Sequence, residues 1–150
     1  MKKMIKLCWG YFSEWVLAIL LVALCCKILG ADEFIRIVKG LADELASLVF
    51  VVLFSGSIAF IWALFTKVDS DFYIWLDGKG ALTVYFNAMY YVFVVEFLGV
   101  VSAIAIKMTS GYVSLVLTVI MGMAIINGFT MVSNAVDLMR LNLQFMRSRA

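Results

Sequence analysis

Residues 82–106 read LTVYFNAMYYVFVVEFLGVVSAIAI, an apolar run that carries a single charged side chain, Glu96. As a helix rising about 1.5 Å per residue, the run can cross a hydrocarbon core of about 30 Å with some tilt, and it sets Glu96 close to the midplane. An ionised carboxylate at that depth costs on the order of a few kcal/mol, so the acid is expected to face protein or water and not lipid. Stepping by three and four from Glu96 collects Tyr85, Met89, Val92, Gly99 and Ala103 on one stripe. The small Gly99 and Ala103 on that stripe would let a neighbouring helix approach closely.

No basic residue shares the depth of Glu96, because Lys27 and Lys107 both fall at the ends of apolar runs. Desolvation without a cationic partner favours the protonated carboxyl. Two roles follow. The acid bridges helices through a Ser, an Asn or a backbone carbonyl, or it forms a proton or cation site, including a pore-lining ring in an oligomer.

Composition sets the class. Of 150 residues, 65% are hydrophobic and only 15% charged, which is far from a soluble domain and makes membrane insertion the economical interpretation. Proline is absent, so the spans are expected to be unbroken helices, which weighs against transporter folds built from interrupted half-helices. Histidine is also absent, and Cys8, Cys25 and Cys26 are not spaced as a ligand cluster. Neither a transition-metal site nor any other cofactor is therefore expected. The pair Asp69 and Asp71 lacks the glycine and the distal acid that a calcium loop requires. A net charge of +2 is too mild to point to nucleic acid.

Outward from the Glu96 run, the chain divides into an all-α, four-helix transmembrane bundle in one domain, with spans at about 7–29, 45–66, 82–106 and 112–136 and a helical tail over 137–150. The first span opens on an aromatic belt of Trp9, Tyr11, Phe12 and Trp15, in which Glu14 reads as an interfacial acid. No small-x-small cleavage site follows, so this run is kept as a span and not a signal peptide. The first loop, 30–44, alternates an apolar stripe of Phe34, Val38, Leu41 and Leu45 with Asp32, Arg36, Lys39 and Asp43, the pattern of a helix lying on a membrane surface or of a span-two extension projecting from it.

Span two concentrates small and hydroxyl residues, Ser55, Gly56, Ser57, Ala59 and Ala63, which are expected to pack against other helices. The loop over 67–81 holds an interfacial aromatic cluster, Phe72, Tyr73 and Trp75. Span four offers a small ladder, Ser114, Thr118 and Gly122, and the polar Asn127, read as an interhelical hydrogen-bonding residue. In the tail, Val136, Met139, Leu143 and Met146 share a stripe flanked by Arg140, Arg147 and Arg149, a surface suited to a soluble partner or to anionic lipid. Lys2, Lys3, Lys6, Lys67, Lys79, Arg140, Arg147 and Arg149 outnumber Lys27, Arg36, Lys39 and Lys107 on the opposite side, so both termini are expected in the cytoplasm.

No nucleophile elbow, phosphate loop, HExxH, redox CxxC or catalytic carboxylate pair is present, and an enzyme is not expected. The four-span layout, the small-residue second span (Ser55, Gly56, Ser57, Ala59), the interfacial second loop, and a third span bearing Tyr91 and Val95-Glu96-Phe97-Leu98-Gly99 resemble the small membrane proteins of bacterial phage-defence systems, of the RexB and Kiwa membrane-subunit types. The resemblance implies a homo-oligomeric, multi-pass protein of the bacterial inner membrane. Such a protein would sense or signal infection with a cytosolic protein partner, by leaking ions or by relaying a signal, with Glu96 as the residue carried over. Other classes remain open on the residues themselves: a self-sufficient ion-conducting pore, a holin-like protein, or an immunity protein against a membrane-acting toxin.

Overall fold

The computed structural model describes residues 2–148, with side chains from Phe12 onward, and every element among them is helical. Helix α1 spans Lys2–Leu29 and α2 Ala31–Gly40. Helix α3 covers Ala42–Phe65, α4 Asp71–Gly78, α5 Leu82–Ala105 and α6 Gly111–Arg147. Helices α1, α3, α5 and α6 are each long and apolar enough to cross a membrane. The side chains of Cys8, Trp9 and Tyr11, and Arg149 altogether, lie outside the described residues.

Two boundaries differ from the sequence expectation, and the tail continues span four as a helix as expected. The second membrane helix begins at Ala42, and it is not uniformly α-helical: over Leu45–Phe50 it widens into a π-helix, which proline counting cannot anticipate. The expected second loop folds into α4, because Phe72, Tyr73 and Leu76 share one face and bury it. Span four and the tail form one continuous helix of 37 residues, with no glycine or proline after Gly128 to end it. In contrast, α1 does stop where a glycine permits it: Gly30 adopts φ +86°, a left-handed conformation open to a residue without Cβ, and α2 departs from there.

The connections gather at two ends. At one, α2 buries Ile35 and Val38, its Lys39 ammonium donates to the Thr109 carbonyl in the α5–α6 turn, and Asp43 pairs with Lys107 beside it. At the other, α4 packs against the tail of α6, with ring centroids of Phe72 and Trp75 lying 5.6 Å and 5.3 Å from that of Phe145. The first and third connections thus share one end, and the second connection shares the other with the tail, as four successive crossings require.

The apolar core is two clusters, not one. The cluster toward the α2 end includes Ala18, Phe50, Ala103, Met121 and Ala124. The cluster toward the α4 end includes Leu64, Met89, Val92, Met131 and Leu138. On three membrane helices the passage from one cluster to the other falls at or beside a buried polar residue, Ser57 on α3, Glu96 on α5 and Asn127 on α6, and α1, which contributes only to the first cluster, buries Glu14 one turn before Ala18.

Candidate functional site

The layer is assembled by close approach of α5 and α6. A Cβ added to Gly99 would lie 2.7 Å from the Ala124 Cβ and 3.0 Å from the Phe50 ring, so only glycine allows this contact. The two helices run in opposite directions, and one turn from the Gly99–Ala124 crossing Glu96 stands level with Asn127. The next turn brings Val92 and Met131 into the same apolar cluster. The π-helical segment of α3 ends on Phe50, which is fully buried and forms the third wall of the crossing.

Two hydrogen-bonded pairs occupy the layer. Asn127 Nδ2 donates to Glu14 Oε2 at 2.7 Å, joining the first and last helices, and Ser57 Oγ bonds Glu96 Oε2, joining α3 to α5. Ser57 Oγ also lies 3.1 Å from the Leu53 carbonyl and 3.0 Å from Met131 Sδ. A hydroxyl has one proton and can serve one of these acceptors at a time. Glu96 is 0% and Glu14 8% exposed, and each pair leaves one buried acceptor, Glu96 Oε1 and Asn127 Oδ1, without a partner among the described residues.

The sequence-derived candidates separate. Glu96, Ser57 and Asn127 come together in the layer, while Ser55 does not: it lies on the exposed outer face of α3 with Gly56 and Ala59. Those two are therefore not packing residues within the chain, and a Cβ on Gly56 would meet nothing within 4 Å. The reason is angular, since Ser57 faces inward and its near neighbours in a helix must point elsewhere. Gly99 and Ala103 pack against α6 and its cluster, and a Cβ on Gly122 would reach the Ala18 Cβ of α1 at 3.9 Å. Because Glu96 is enclosed by helices of its own chain, a pore ring of this acid from several copies would require it to turn out of that enclosure.

Glu14 is the member that sequence reasoning placed elsewhere. Read as an interfacial acid, it is instead buried one turn from Ala18 and two from Val22, both also buried. That i, i+4, i+8 stripe was the available signal, but a leucine-rich helix hides it. In the tail, Arg140 is exposed and pairs with Asp137 at 3.3 Å, and Arg147 is exposed. No residue group among those described could hold a metal ion. No family model, curated protein or solved structure matches the chain.

Proposed function

We propose that this chain is a non-enzymatic subunit of a bacterial anti-phage defence system, seated in the inner membrane as a four-helix bundle with both termini in the cytoplasm. Copies assemble in the membrane and pass an infection signal to a cytosolic protein. The defence assignment rests on the resemblance in layout. The observation that carries the signalling role is the outer face of α6. A helix of 37 residues is about 55 Å long and outruns a hydrocarbon core of about 30 Å. Its protruding part still exposes large apolar side chains: Met139 is 63% and Leu143 51% exposed, and Val136 and Met146 continue the line.

Phe129, Val132, Val136, Met139, Leu143 and Met146 alternate by three and four, the spacing of a coiled-coil seam. The opposite face of the tail is already used, holding Phe145 and Leu138 against α4. Outside the bilayer such a seam calls for a protein partner. The test is phage plating on cells carrying the gene with its neighbours. Plaques are expected to fall in number with the intact chain and to return with Leu143→Glu, while membrane insertion is unchanged. Equal plating with and without the intact chain would overturn the assignment.

A second reading, a self-sufficient ion-conducting pore, draws on the polar layer that touches all four membrane helices. Membrane depolarisation on expression of the chain alone would support it, and an unchanged potential would remove it.

A further inference from the structure

We propose that Ser57, Glu96, Asn127 and Glu14 make one buried proton site, in which a proton carried by Glu96 closes a hydrogen-bond chain across all four membrane helices. This inference is independent of what the tail binds.

Two buried acceptors face the same need. Glu96 Oε1 and Asn127 Oδ1 are both acceptors, both buried, and belong to residues that the α5–α6 register sets at one level. Two acceptors cannot bond each other. One proton on the carboxyl changes this, because Glu96 gains a donor that Asn127 Oδ1 can accept. A donor placed there satisfies two buried atoms at once, each of which otherwise carries a desolvation cost of about 1–3 kcal/mol. The orientation of Asn127 agrees: its amide nitrogen is committed to Glu14, so its oxygen is the end left for Glu96. The chain then runs Ser57, Glu96, Asn127, Glu14.

The surroundings suit a proton rather than a counter-ion pair. Helix α3 brings no titratable side chain between Val51 and Phe65, and α6 brings none between Tyr112 and Asp137. Among its described side chains helix α1 carries Glu14 and, farther along, Cys25, Cys26 and Lys27, the last in its final turn, while α5 itself carries Tyr85, Tyr90 and Tyr91. Among the described residues no ammonium or guanidinium is bonded to the layer: Lys107 is held at the end of the helices by Asp43 and Lys39 by Thr109. Glu14 stands at the surface end of the chain, where it lines a largely apolar groove of about 610 Å³ between α1 and α6 with Val16, Leu17, Leu20, Ile126 and Thr130. Glu14, 8% exposed, is thus the outer member of the chain, and Glu96, 0% exposed, the enclosed one.

Infrared spectroscopy of the full chain in liposomes tests this directly. A protonated-carboxyl C=O band is expected at about neutral pH, retained in the exposed-site control Glu44→Gln and lost in Glu96→Gln. The amide of Glu96→Gln supplies the same donor permanently, so that variant is expected to fold and to melt at a temperature independent of pH, whereas the wild-type melting temperature falls as pH rises. Absence of the band in the wild type overturns the proposal, as does a band that survives Glu96→Gln or is lost only in Glu14→Gln. The wild-type titration decides the matter even if Glu96→Gln does not fold. A melting temperature that responds to sodium at fixed pH, and not to pH, also overturns it, since the ligand would then be a metal cation.

Discussion

Asn127 donates a 2.7 Å hydrogen bond to Glu14 across 113 residues of sequence, tying the last membrane helix to the first. Each partner covers a polar group that the other would otherwise leave bare. Asn127→Leu is expected to destabilise the chain by about 1–3 kcal/mol, because Glu14 stays buried without its donor. The double variant Glu14→Leu with Asn127→Leu is expected to lose less than the sum of the single changes. Reversible unfolding in mixed detergent measures the cycle, and additive losses would show the pair to be uncoupled.

Glycine at position 99 is a packing requirement and at position 56 it is not. Gly99→Ala forces a methyl to within 2.7 Å of the Ala124 Cβ, so a loss of about 1–3 kcal/mol is expected. Gly56→Ala meets open space and is expected to be neutral or slightly stabilising, as alanine is the better helix former by up to about 1 kcal/mol. Melting temperatures of the two variants in one detergent compare them, and equal losses would contradict the packing described here.

The tail is held by aromatic contacts at the α4 end. Phe145 meets both Phe72 and Trp75, so Phe145→Ala is expected to free the last turns of α6 from α4 while leaving the membrane helices in place. Hydrogen exchange over 138–148 should accelerate at least several-fold, with exchange in α5 unchanged. Uniform acceleration through the whole chain would instead make this contact part of the global core.

On the surface of α2, Arg36 bonds Glu33 through Nε at 2.9 Å. That hydrogen bond, with the guanidinium charge, holds the Glu33 carboxyl below the usual carboxylate range. The sign follows from linkage: the pair contributes stability above the ordinary glutamate range and loses it as pH falls through the lowered folded value. Both side chains are exposed, so the effect on stability is small. Arg36→Gln is expected to return the Glu33 titration upward, measured by NMR on the carboxyl carbon. An unmoved titration would show that the pair does not persist in solution.

The lengths of the apolar runs determined that four helices can cross a membrane, since a backbone without water must bond within its own segment and the reach of a helix is fixed per residue. They also located the single acid of residues 82–106, the paired stripes of α2 and the apolar stripe of the tail, which are patterns within one helix. Which faces meet was decided only by tertiary structure. In a soluble helix, polar residues mark the outside, but here lipid-facing and core-facing positions are both apolar, and the contrast that would orient α1 and α3 is missing. That is why Gly56, Ala59 and Ser55 read as packing residues and lie outward, while Glu14 reads as interfacial and lies inward. The partnership of residue 14 with residue 127, and of 57 with 96, depends on a helix crossing that a single glycine opens, and no spacing along one chain encodes a distance between two helices.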